Sequence, residues 1–159
     1  PNTTPIMPII PNILNRLSAR LRSRKPVFCN IAEGSHAGNL PRVLESSIIN
    51  PYVFAKPGAS SGKVTLAASG DAPLGVLTDT GASGETVNLA LLGSATSTRL
   101  ATAGANITQG DFLVCDANAA AIKLPASGTH YIVGRALHDA ASGGLVEFDP
   151  CVPVEYVNA

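Results

Sequence analysis

Val64-Thr65-Leu66-Ala67-Ala68-Ser69-Gly70, followed by Leu74-Gly75-Val76-Leu77, Ala82-Ser83-Gly84 and Val87, has a second version in the same chain. It reads Ile122, Leu124-Pro125-Ala126-Ser127-Gly128, Val133-Gly134-Arg135-Ala136, Ala141-Ser142-Gly143 and Val146. The offset is 58 residues from Leu66 to Leu124, and 59 from Gly75 to Gly134, from Ser83 to Ser142 and from Val87 to Val146. One residue added between Gly128 and Gly134 accounts for the change, and turns tolerate such additions. Each copy alternates short apolar runs with Gly/Ser turns, which is the pattern of strand, turn, strand. The reading is two related strand-turn-strand units, packed on each other as halves of one small β domain.

Working outward, Tyr52-Val53-Phe54 is a strand candidate before the first copy. Thr98 to Thr102 and Phe112-Leu113-Val114-Cys115 are two more between the copies. After Pro150 the tail alternates Val152, Val154 and Tyr156, with Pro153 confining it to a sheet edge. No stretch after Gly58 has a helical period. Val27 to Pro57 is the least regular part: Val27, Phe28 and Ile31 open a strand, Glu33 to Asn39 is a loop, and Pro41 starts one helical turn through Val43, Leu44 and Ile48. The fold class is mainly β, a small Gly/Ala-rich β-barrel or β-sandwich-like domain with an extended N-terminal arm.

The 159 residues suit one domain plus a tail. Fifteen glycines, twelve prolines, no tryptophan and seven Phe or Tyr make a thin core of small side chains. That composition is poor for a deep pocket, which bulky apolar and aromatic groups usually line. The domain division is an arm at 1–25 and a β-rich body at 26–159.

Net charge is zero, but Arg16, Arg20, Arg22, Arg24 and Lys25 give the first 25 residues +5 with no acid before Glu33. Residues 26–159 hold the other six basic groups and all eleven acids, or −5. The arm places Pro at 1, 5, 8 and 11 with Ile6, Met7, Ile9 and Ile10 between them, which enforces an extended chain. Asn12 is placed to cap a short helix through Ile13, Leu14, Leu17 and Leu21, with Arg16, Arg20 and Arg24 as a basic stripe beside the apolar one. A helix this short gains order mainly on docking. Its dock is either the chain's own acidic body, another acidic protein surface, nucleic acid or an anionic membrane; the apolar piece before it packs on the body or docks on another subunit.

No apolar run reaches the roughly 18 residues that span a bilayer. The N-terminus does not read as a secretory signal, because prolines break its apolar piece and the basic cluster follows it. Cys29, Cys115 and Cys151 are widely spaced and odd in number, which points to buried free thiols in a reducing compartment. An intracellular product is expected.

Catalytic patterns are weak. Gly58-Ala59-Ser60-Ser61-Gly62 matches G-x-S-x-G, but Pro57 before it and a strand after it are the wrong context for a nucleophile elbow, so it reads as a turn. His130, His138 and Asp139, with His36 or Cys151, fit none of the compact metal-ligand spacings. The carboxylates lie mostly beside Gly or Ser, where an Asp side chain bonds nearby amides of a turn. No cofactor, no membrane and no direct nucleic-acid contact is expected.

The runs Gly62-Lys63-Val64-Thr65-Leu66-Ala67, Pro73-Leu74-Gly75-Val76, Gly84-Glu85-Thr86-Val87-Asn88-Leu89, Ile107-Thr108-Gln109-Gly110-Asp111-Phe112-Leu113-Val114 and Ile132-Val133-Gly134-Arg135-Ala136 together resemble the capsid decoration, or cement, proteins of tailed bacteriophages. The resemblance covers about residues 58–148. It implies a structural protein without enzymatic activity, made in the host cytoplasm and carried on the outer capsid surface of the virion. Its partners would be the major capsid protein and, in a homotrimer, itself. In several such proteins an N-terminal arm orders on the shell, which makes Ile6, Ile9, Ile10, Arg16, Arg20 and Arg24 the expected capsid-binding residues. A head-fibre base or tail component is the runner-up, and a small β-barrel hydrolase or ligand-binding protein is the third reading.

Overall fold

The computed structural model describes residues 38–94 and 97–158, and among them there are ten strands and no helix. The first five are β1 (Asn39–Leu44), β2 (Val53–Pro57), β3 (Lys63–Leu66), β4 (Gly75–Leu77) and β5 (Thr86–Leu91). They close into a barrel in the order β1-β3-β2-β4-β5. The next five are β6 (Arg99–Thr102), β7 (Phe112–Cys115), β8 (Ala121–Lys123), β9 (Gly128–Ala136) and β10 (Leu145–Asn158), forming a sheet in the order β6-β10-β9-β7-β8.

The two orders are the same once β1 to β5 are matched with β6 to β10, so the duplication spans five strands. The barrel closes through a parallel ladder, Val43 to Lys63 and Leu44 to Val64. Its counterpart in the second sheet is a single parallel bridge, Ala103 to Ala121. The bridge Ile48 to Gly81 recurs as Ile107 to Ala140, with both partners displaced by 59 residues. Turn chemistry repeats too: Ser83 Oγ donates to Glu45 O, and Ser142 Oγ donates to Gly104 O.

The repeated glycines have a packing cause. A Cβ on Gly75 would run into the carbonyl oxygen of Ala90 on the adjacent strand, and one on Gly134 would run into that of Asp149. Ala90 and Asp149 are themselves 59 apart, so the same close approach is built twice.

The expected helical turn from Pro41 is instead strand β1, paired with β5 from Asn39–Ala90 to Val43–Thr86. Gly38 O accepts from Leu91 N, and Leu44 N donates to Glu85 O. In that register Pro41 falls at a position not hydrogen-bonded to β5, so its missing N–H costs no bond there. Barrel closure outweighs the local preference. The tail after Pro150 continues β10 to Asn158 with a register shift between Pro150 and Val154, and among the described residues it pairs there with β9 alone, as an edge.

Alternation along the strands puts Leu44, Val64, Leu77 and Leu89 inside the barrel, all at most 1% exposed. The opposite face of the same strands carries Phe54, Val76 and Ala90, and these are buried as well. What covers them is the second sheet, where Phe148, Val146 and Ala101 share one face and are fully buried. One core therefore joins both halves.

Candidate docking surfaces

The second copy differs from the first in length. β7 pairs with β9 only at Gly134 and Arg135, and β6 pairs with β10 only from Leu145 to Phe148. Beyond those points β9 and β10 continue as a two-stranded ribbon, Gly128–Ile132 against Val154–Asn158, with both edges unpaired among the described residues. Pro153 falls within the register shift, where no ladder bond is lost. Along β10 the ribbon exposes Val152, Val154, Tyr156 and Val157, at 63%, 56%, 41% and 67%. Tyr156 and Val157 are consecutive and so point to opposite faces; both faces of the ribbon are open. At its tip Asn158 Nδ2 donates to Pro125 O, and His130 Nε2 bonds Ser127 O at 2.9 Å. Exposed apolar side chains along a strand with one open edge are the composition of a protein contact surface.

A second surface lies at the junction of the halves, around Tyr52. Its backbone is left-handed, φ 59°, and fixed by Tyr52 N donating to Leu77 O and Thr102 N donating to Tyr52 O, both 2.7 Å. On one side is an open hollow of about 420 Å³ that includes Pro51, Thr102 and Leu145. On the other is a hollow of about 250 Å³ that includes Asn39, Val76, Asn88, Arg99 and Leu100. On the far face of the second sheet the Arg135 guanidinium sits 5.8 Å from the centre of the exposed Phe112 ring.

The carboxylates that depart from their ordinary values serve turns and ion pairs. The Lys56 ammonium, 2.7 Å away, and then the Ala68 amide hold Asp71 below the usual carboxylate range. The amides of Ser60 and Ala59 do the same for Glu45, and the Thr108 amide with Lys123 for Asp111. Gly58–Gly62 is the turn between β2 and β3, and Ser60 N donates to Glu45 Oε1 at 2.9 Å. His138 Nδ1 bonds Asp139 O, its Nε2 accepts from Glu147 N, and Asp139 Oδ1 accepts from Gln109 N. Among the described residues no three His, Cys, Asp or Glu side chains converge as metal ligands would. Cys115 is buried, and burial pushes its thiol up to about 12. Cys151, expected to be buried, is only half-buried, with Sγ donating to Ile132 O, because β10 has left the core at that point.

The arm residues Ile6, Ile9, Ile10, Arg16, Arg20 and Arg24, together with Cys29 and His36, lie outside the described residues. The ribbon and the Tyr52 junction were not among the expected binding residues. The alternation of Val152, Val154 and Tyr156 was the sequence signal for the ribbon. The junction had none, since its residues come from five separate strands and a loop.

Among the described residues the fold is all-β, two related five-strand units on one core, with apolar surface left open along the ribbon and beside Tyr52. The chain belongs to the phage cement protein family, whose sequence model matches residues 49–148. It is therefore a structural protein of the phage virion that associates with the capsid. Its fold is similar to that in the crystal structure of the N base of head fiber gp8.5 of bacteriophage phi29. The TM-score is 0.59 at 18% identity, over 74% of this chain and 98% of that one. Comparison with curated proteins finds no match.

Proposed function

We propose that this protein binds the outer surface of a phage head and stabilises the shell by bridging neighbouring capsid subunits, without chemistry of its own. The observation that carries the reading is the family match over residues 49–148. The major capsid protein is the partner. The basic, proline-spaced arm at 1–25 is a second attachment to the shell, through Ile6, Ile9, Ile10, Arg16, Arg20 and Arg24, while the body at 26–159 provides the folded block. A homotrimer assembled through the β9–β10 ribbon would cover apolar side chains that a lone two-stranded ribbon leaves in water. Synthesis in the host cytoplasm precedes assembly.

The test is co-sedimentation of the purified chain with empty expanded heads. Binding of the full chain and loss of binding on deleting residues 1–25, with the body still folded by circular dichroism, is the expected pair of results. A truncated chain that decorates heads with unchanged affinity removes the arm from the reading.

The likeness of fold to a head-fibre base favours a second reading, in which the domain anchors a projecting fibre. Saturation of heads at a few copies, rather than in numbers approaching those of the capsid subunits, would select it.

A further inference from the structure

The smaller hollow beside Tyr52 has the makings of a binding site. Val76 and Ala90, on the outer face of the barrel, line it together with Tyr52, Arg99 and Leu100. Arg99 pairs with Phe148 across the β6–β10 ladder, so its stem starts on the buried face of the second sheet and its head reaches the junction. The head is poorly satisfied there. Nη1 donates to Ser97 Oγ at 3.3 Å and Nη2 to Gly38 O at 3.4 Å, both long, and the buried Nε has no partner among the described residues. A buried donor left unmade is costly, and a guanidinium is best satisfied by a carboxylate that takes two of its N–H groups at once.

Arg99 takes part in neither ion pair of the described residues, which join Lys56 to Asp71 and Lys123 to Asp111. Two acids bond residues that line the hollow, Thr98 and Asn88, and neither bonds Arg99. Glu147, opposite Leu100 in the ladder, accepts from Thr98 Oγ1, and Asp79 accepts from Asn88 N. Among the described residues no acid lines the hollow, which thus offers one under-bonded cation beside an apolar floor.

We infer that this hollow is a docking site for a protein segment that presents a carboxylate next to an apolar side chain, the carboxylate on Arg99 and the apolar group between Tyr52, Val76 and Leu100. The inference rests on the capsid-docking reading for the source of the segment, and on the hollow alone for its chemistry. Acidic side chains are common on protein surfaces, but an acid followed by an aliphatic residue and held against Arg99 would fix the orientation of the docked subunit.

The probe is a blocked dipeptide, N-acetyl-glutamyl-leucine amide, titrated into the full chain while the Nε–H resonance of Arg99 is followed by NMR. Arg99→Lys, which lacks that group, assigns the signal. The expected result is a saturable shift that the glutamine analogue produces at least fivefold more weakly, and that Leu100→Ala weakens. No shift, or equal shifts with both dipeptides, overturns the site.

Sedimentation with heads is the second arm. Arg99→Lys and Leu100→Ala, each shown to be folded, are expected to lower head affinity about tenfold. Unchanged affinity for both variants overturns the docking role even if the dipeptide binds. Failure of the unmodified chain to sediment with heads instead overturns the capsid reading, and the titration then decides the carboxylate site by itself.

Discussion

The ring of Phe54 on β2 meets the ring of Phe148 on β10 edge-on, with centroids 6.0 Å apart and planes at 67°. Both side chains are fully buried, one on the outer face of the barrel and the other on the second sheet. This contact joins two copies of one architecture into a single core, and it makes their unfolding a shared event.

Phe148→Ala is expected to destabilise the protein by about 3–5 kcal/mol, the range for emptying a buried aromatic site. Phe148→Leu places there the residue that the first copy has at the equivalent position, Leu89, and should cost less than half as much. Urea denaturation followed by two probes is the measurement. Both variants should retain one coincident transition, and separate transitions for the two halves would contradict a common core.

The glycines separate into two kinds. Gly75→Ala and Gly134→Ala drive a methyl group into a neighbouring strand's carbonyl, so expression of folded protein should fall sharply for each. Gly84 and Gly143 have φ of 88° and 81° with open space where a Cβ would go. Alanine at either should cost only about 1 kcal/mol, the penalty of a left-handed backbone. Thermal melts of the four variants would show the ranking.

Acid should weaken the fold. Asp71, Glu45 and Asp111 are held below their ordinary values in the native state by Lys56, by the Ser60 amide and by the Thr108 amide respectively. A depressed native value means that the unfolded chain binds protons more readily. The stabilisation is therefore complete above the unfolded carboxylate range, near pH 4, and is lost as pH falls through the lower native values. Urea midpoints are expected to be level from about pH 7 to pH 5 and to drop below about pH 4. Asp71→Asn should flatten part of that drop.

Thiol labelling should distinguish the two described cysteines. Burial pushes the Cys115 thiol up to about 12, so at pH 8 it carries almost no thiolate and reacts only on unfolding. Cys151, also raised by burial but half-exposed, should react first. Mass-spectrometric mapping after brief alkylation gives the order.

For the ribbon, the charge-introducing pair Val154→Lys and Tyr156→Asp should leave the melting temperature within a few degrees of the parent, because neither side chain is in the core. Light scattering should show loss of the trimer that the ribbon is proposed to hold. A trimer that survives both changes must be assembled elsewhere.

Much of the strand pattern was legible because each strand is short and bounded by Gly, Ser or Pro. The apolar runs Val64–Leu66 and Leu74–Leu77 and the candidates Thr98–Thr102 and Phe112–Cys115 all fall on observed strands. Pro41 misled because a proline before Val43 and Leu44 is an equally good helix start. Its strand depends on β5, more than forty residues later in the chain. Arg99 was invisible as a binding residue, since nothing local to it says that its guanidinium will reach Gly38 and the face of another sheet.

The sequence by itself determined the duplication, the mainly β character and most of the turn positions, because these follow from spacing and from which residues can turn. Tertiary structure alone decided that the first copy closes as a barrel while the second is held by one bridge, and that a single core runs between them. It also decided that the second copy's last two strands run past the sheet into an open ribbon. Closure depends on the register of strands far apart in the chain, and exposure depends on what packs against a face; neither is a property of the residues that carry it.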